Sequence, residues 1–229
     1  MLKLFWVVSS KNPWNIMAQL SSPKGPNEFV SEAYNLNDDE KIVEFYSRWA
    51  DEYDHQMLEV LGYISPITIA QLLCDYLADK NARIIDIGCG TGLTCKFLHQ
   101  QGYEHLHGVD LSPDMVRVAQ DRKIYEQVMV ADVKQTLAID DNSYDAAISS
   151  GTFTHGHVGA EPLDEIFRII KPGGILACTV HNDLWQTHGF ETKFEILINR
   201  GTIKCLSLEE GKYYQQGEPE GKFCIYRKL

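Results

Sequence analysis

The sequence predicts an α/β protein built on a parallel sheet covered by helices on both faces. Three observations carry this. Short β-branched runs alternate with helical periodicity from Ala82 to Val180, the pattern of repeated strand–helix–strand crossovers. A glycine-rich turn, Gly88-Cys89-Gly90-Thr91-Gly92, joins the first run to the helix after it. Carboxylates (Asp86, Asp110 and Asp132) stand at the ends of three successive runs.

Each element has its own signal. Residues 1–37 read as an irregular lead-in. Its start, MLKLFWVV, is too short an apolar stretch for a signal peptide and has no clear cleavage site. Met17 is a second candidate start. Residues 9–37 are rich in Ser, Asn, Pro and Gly. Helical spacing begins after the cap cluster Asn37-Asp38-Asp39. Ile42, Tyr46, Trp49, Tyr53 and Met57 then recur at steps of four, three, four and four, on one stripe. Between 35 and 60, eight acidic residues stand against Lys41 and Arg48, mostly on the opposite face. A second helix opens at Ser65-Pro66, with the serine as its cap, and runs through Ile69, Leu72, Leu73, Tyr76 and Leu77.

The sheet pattern follows. Residues 82–87 form the first strand, and a helix runs from the glycine turn to about Gln101. Residues 106–110 are the second strand, and Ser112-Pro113 caps the next helix. Residues 127–131 are the third strand and 144–149 the fourth. Leu163, Ile166, Phe167 and Ile170 mark a helix that Lys171-Pro172-Gly173-Gly174 terminates. Residues 175–180 are the fifth strand. A helix from Phe190 to about Arg200 and two strands, 202–208 and 222–226, complete the chain.

Composition sets the class. The 229 residues are 44% hydrophobic and 23% charged, a globular balance. A chain of this length buries roughly 70% of its unfolded surface, enough for a core without metal or disulfide. The net charge of −11 disfavours nucleic-acid binding through a basic face. No apolar run approaches the ~18 residues of a membrane span, so no membrane partner is expected. The six cysteines form no C-x-x-C pair; reduced thiols and a cytoplasmic location are the expectation.

The glycine turn carries the chemistry. Glycines let the backbone turn tightly and a ligand approach it, and the helix behind offers its free amides. A dinucleotide fingerprint would need Gly or Ala where Leu93 stands. Asp86, two residues before the first glycine, would repel a pyrophosphate and suits a cationic ligand without phosphate. S-adenosylmethionine, with its ammonium and sulfonium, is such a ligand. Asp110, 18 residues beyond Gly92, is placed to accept protons from both ribose hydroxyls. Asp132 is placed to meet the adenine amino group.

Asp86–Gly92, the Gly108-Val-Asp110-Leu-Ser-Pro run, Ala131-Asp132-Val, Tyr144-Asp145 and Arg168-Ile-Ile-Lys-Pro-Gly-Gly174 together resemble the class I S-adenosylmethionine-dependent methyltransferases. The resemblance covers about residues 40–182. It implies a Rossmann-like, seven-stranded, mostly parallel sheet whose C-terminal hairpin (202–226) supplies one antiparallel strand. It also implies that Gly88 and Gly90 line the methionine portion, that Asp110 holds the ribose, and that Asp132 reads the adenine. The expected cofactor-binding set is Tyr46, Tyr53, Asp86, Gly88, Cys89, Gly90, Asp110, Leu111, Met115, Ala131, Asp132, Val133, Ser149 and Ser150. On this reading residues 38–229 are one domain: a helical cap (38–80), a cofactor-binding core (82–182), and a C-terminal helix and hairpin (183–229). Trp49-Ala-Asp-Glu-Tyr53-Asp54 and the 150–159 segment are similar to the methyltransferase-like proteins named after the Williams–Beuren syndrome region.

Tyr46 and Tyr53, seven residues apart, share a helix face about 10 Å apart. They either line the cofactor and acceptor or belong to the core. His155 and His157 follow the fourth strand and His181 ends the fifth, so all three are candidate catalytic bases; a metal is not expected. The resulting expectation is methyl transfer from S-adenosylmethionine, leaving S-adenosylhomocysteine, to a small molecule. Protein side-chain methylation, with the acidic 38–60 face docking a basic peptide, and a non-catalytic cofactor-binding module are the alternatives.

Overall fold

The computed structural model describes residues 26–36, 38–154 and 158–229. A seven-stranded sheet has the order β3-β2-β1-β4-β5-β7-β6. Its strands are β1 (Ile84–Ile87), β2 (Leu106–Asp110), β3 (Gln127–Val130), β4 (Tyr144–Phe153), β5 (Ile170–His181), β6 (Ile203–Gly211) and β7 (Gly221–Lys228). The first five pair in parallel; β7 inserts antiparallel between β5 and β6. Only β7 runs against the rest, as expected.

Strand periodicity divides the core. Ile84, Ile148, Ile175, Ala177, Phe223 and Ile225 face one side, and Ile85, Ile87, Leu176, Cys178, Cys224 and Tyr226 face the other. Helices α2 (Asp39–Trp49), α3 (Ser65–Tyr76) and α4 (Leu93–Gln100) cover the first side. Helices α6 (Leu163–Ile169), α7 (Asn182–Thr187) and α8 (Phe190–Asn199) cover the second. Helix α5 (Pro113–Asp121) packs beside β2 and β3. No helix of the described residues is long and apolar enough to cross a membrane. All six cysteines are free thiols.

Four sequence expectations are corrected. Part of the 1–37 lead-in is helical: α1 (Pro26–Tyr34) places Phe29, Val30 and Ala33 against the α2 side of the core, and Phe29 stacks on Trp49 at 5.2 Å. That apolar spacing outweighs the Pro/Gly-rich surroundings. The stripe from Ile42 to Met57 is not one helix. α2 ends at Trp49, and a separate π-helical turn spans His55–Val60. Ser65 does not cap α3, because Ile64 holds that position; the Ser65 hydroxyl lies 3.0 Å from Ser150 Oγ instead. β4 runs four residues beyond the predicted Ser149, to Phe153. Asp38 and Ser112 do cap α2 and α5, accepting backbone N–H groups as the sequence suggests.

Candidate active site

A cavity of about 130 Å³ opens at the carboxyl edge of the sheet. The turns after β1, β2 and β3 form its floor, where open α/β sheets bind ligands. α2 and the segment behind it form its roof. It contains twelve of the fourteen expected cofactor residues: Tyr46, Tyr53, Gly88, Cys89, Gly90, Asp110, Leu111, Met115, Ala131, Asp132, Val133 and Ser150.

The glycine turn needs its glycines for different reasons. Gly88 has φ +66°, and a Cβ there would run into the Thr152 side chain. Thr152 Oγ1 donates 3.0 Å to the Ile87 carbonyl and so braces the turn. Gly90 has φ +53° and no atom within 4 Å of a would-be Cβ; a side chain there would fill the cradle.

Asp110 closes the turn from the next strand. Its Oδ2 accepts the Gly90 N–H at 2.8 Å and its Oδ1 the Ser112 N–H at 2.9 Å. Burial pushes its pKa up, while those amides hold it down. Each oxygen keeps a lone pair for further donors, as a vicinal diol requires. Asp132 Oδ1 accepts the Lys134 N–H at 2.8 Å, an Asx turn that sets its carboxylate at the cavity edge. Cys89 is buried and its thiol pKa is raised by burial, so it is a packing group.

Two expected cofactor residues do not line the cavity. Ser149 is fully buried and donates to the Ile87 carbonyl at 2.8 Å. Asp86 lies beneath the turn on the face shared with α4. It accepts the Tyr125 O–H at 3.0 Å on Oδ2, and its Oδ1 has no hydrogen-bond partner among the described residues. Burial pushes its pKa up to about 7, against the Tyr125 and Cys95 side chains, which lower it. Its side chain lies outside the cavity lining.

His181, the third candidate base, stands at the end of β5. It caps α7, accepting the Asp183 N–H at Nδ1 (3.2 Å), and its ring meets Tyr34 and Tyr213 edge-on. It lines neither this cavity nor the smaller one beside it. His155 and His157 lie outside the described residues.

The sequence reading missed the ties that hold the roof. Lys134 Nζ reaches Asp39 at 2.6 Å, Arg117 reaches Asp51 at 2.7 Å, and Arg122 reaches Asp54. Asp54 also accepts the Thr91 hydroxyl at 2.6 Å, and Arg122 Nε donates to the Thr91 carbonyl. Part of the acidic 38–60 face is thus spent inside the molecule. Ile42, Tyr63, Thr91 and Thr152 join the lining as well. The only sequence signal of the ion-pair ties was the excess of aspartates in 38–54, whose cationic partners lie on other elements.

The open cradle at Gly90, the Asp110 carboxylate and the apolar walls of Leu111, Met115 and Val133 fit an adenosyl group with an amino-acid tail. Comparisons with known proteins agree. Residues 85–178 match the methyltransferase domain family. The human methyltransferase-like protein 27 is 31% identical over 157 residues, 67% of this chain and 63% of that protein. A ubiquinone biosynthesis O-methyltransferase of Xylella fastidiosa is 27% identical, over 67% of this chain and 62% of its own length. The chain thus spans less than two thirds of these curated relatives. The crystal structure of a putative S-adenosyl-L-methionine-dependent methyltransferase of Methanococcus maripaludis shares the fold, with TM-score 0.62, 21% identity, and coverage of 80% of this chain and 93% of that one. The cavity therefore sits in a segment that matches the methyltransferase domain family, and the chain is similar over it to S-adenosylmethionine-dependent methyltransferases.

Proposed function

We propose that this protein transfers a methyl group from S-adenosylmethionine to a nucleophilic atom of a small molecule. The observation that carries the reading is the cavity itself: an unobstructed glycine turn and strand-end carboxylates under a roof tied down at several points. Bound S-adenosylmethionine supplies an electrophilic methyl group on a sulfonium. Asp110 accepts from the ribose hydroxyls while Gly90 and Ser112 fix its carboxylate. Asp132 and the backbone of 131–133 stand at the adenine edge. The glycine turn admits the amino-acid tail without side-chain obstruction. Tyr46, Tyr53 and Tyr63 wall the far end; burial raises all three phenol pKa values, that of Tyr63 to about 12, so they stay neutral. Positioning two reactants at near-contact distance is the main catalytic requirement, and a roof that excludes water serves it.

The small-molecule reading is supported by this closure and by the net charge of −11. The internal use of Asp39, Asp51 and Asp54 weakens the case for a basic peptide docked on the 38–60 face. Incubation with methyl-labelled S-adenosylmethionine and fractionated cell extract tests it. Label is expected in the small-molecule fraction. Label confined to protein or RNA would overturn the acceptor class.

A further inference from the structure

Beyond the cofactor cavity lies a smaller compartment of about 30 Å³. Tyr46, Tyr53, Tyr63 and Gly151 line both, so the two share a wall. The deeper wall includes Tyr34, Trp49, Met57 and Tyr214. Ring pairs frame it: Trp49 meets Tyr53 at 4.8 Å and 70°, and Tyr63 meets Tyr214 at 5.4 Å.

No charged side chain lines this compartment among the described residues; its walls are mainly aromatic rings. Burial raises the phenol pKa values of Tyr34 and Tyr214, and the field of Glu220 adds to both. His181 stands edge-on to Tyr34 and Tyr213, outside the lining. An anionic acceptor would enter desolvated and without a counter-charge among the described residues. A cation would meet the electron-rich rings that wall the compartment.

We propose that this tyrosine-lined compartment takes the methyl acceptor as an amine, and that its ring faces hold the positive charge the nitrogen acquires. This deepens the methyl-transfer reading and rests on it. The lone pair of the unprotonated amine forms the new N–C bond. The S–C bond breaks with its electron pair left on sulfur, which becomes a neutral thioether. The positive charge passes to nitrogen, and an N–H proton then leaves to water. Charge thus moves from the first cavity toward the aromatic wall.

Three probes of similar size and different charge test this: tetramethylammonium, tert-butanol and pivalate. Each is titrated into the full chain saturated with S-adenosylhomocysteine and followed by tyrosine and tryptophan fluorescence. Tetramethylammonium should bind about tenfold more tightly than tert-butanol, a difference within the range of cation–aromatic attraction, and pivalate should not bind. Tyr214→Leu and, separately, Tyr34→Leu should erase that preference, with S-adenosylhomocysteine affinity held within about twofold because neither residue lines the first cavity. Equal or tighter binding of tert-butanol or pivalate would overturn the amine assignment alone. A preference that survives both substitutions would remove the compartment from it. No binding of S-adenosylhomocysteine to the unaltered chain would overturn the methyl-transfer reading and this proposal together.

Discussion

The floor and the roof of the cavity are held by different forces. The floor comes from strand ends anchored in the core: Ile84, Ile85, Asp86 and Ile87 of β1 are all fully buried. The roof comes from α1, α2 and the turns behind it. It rests on an aromatic cluster around Phe45 and Trp49, and on ion pairs to Lys134, Arg117 and Arg122. A core-anchored floor resists local opening, whereas a roof held by half-exposed ion pairs opens at lower cost. On the proposed function, the difference would divide two tasks: the rigid floor would position the cofactor, and the adaptable roof would admit and enclose the acceptor.

The largest effect should come from breaking the floor at its tightest point. Gly88→Val puts a β-branched residue at positive φ and drives it into Thr152. A loss of about 3 kcal/mol or more in denaturant unfolding is expected, together with loss of S-adenosylhomocysteine binding.

Asp86 gives the floor a pH signature. Its folded pKa of about 7 lies above the ordinary carboxylate value of 3.8. Between those values the folded chain holds a proton that the unfolded chain releases. The group's stabilising contribution is therefore full at acid pH and is lost as pH rises through about 7. Asp86→Asn should remove this dependence. The melting temperature of the wild type should fall more between pH 5 and 8 than that of the variant, by an amount on the order of a few kcal/mol in stability. Parallel profiles would place the Asp86 proton elsewhere.

The roof should respond less, and unequally. The Arg122 and Asp54 side chains are 16% and 32% exposed, and both also bond Thr91. Arg117 and Asp51 are 49% and 79% exposed. Arg122→Ala should weaken S-adenosylhomocysteine binding about tenfold, because it strips Asp54 of its charged partner and leaves the Thr91 hydroxyl alone to tie the roof to the glycine turn. Arg117→Ala should leave stability nearly unchanged, and any small loss should vanish at high salt. Equal effects in calorimetry at two salt concentrations would erase the distinction between the two ties.

The same contrast explains what the sequence made legible. The floor is encoded locally. β-branched runs, a glycine turn and strand-end aspartates each announce themselves within a few residues, and twelve of the fourteen expected cofactor residues line the cavity. Asp86 and Ser149 escaped because strand alternation and an inward hydrogen bond turn them from it. The roof is encoded at a distance. Asp39 meets Lys134 across 95 positions and Asp54 meets Arg122 across 68. No local pattern marks those pairs, nor the end of α2 before Tyr53 and the π-helical turn that follows. α1 left a faint trace in Phe29, Val30 and Ala33, masked by the polar residues around it.

The central claim is that the β1–β2–β3 edge is a cofactor site built on Asp110. Calorimetric titration of S-adenosylhomocysteine and S-adenosylmethionine into the wild type and Asp110→Ala, with NADH as control, tests it most directly. The account predicts micromolar binding of both sulfur compounds, none of NADH, and a loss of about 100-fold in the variant, which forfeits a charged acceptor for two hydroxyls. Unchanged affinity in Asp110→Ala, or binding of NADH in place of the sulfur compounds, would contradict it.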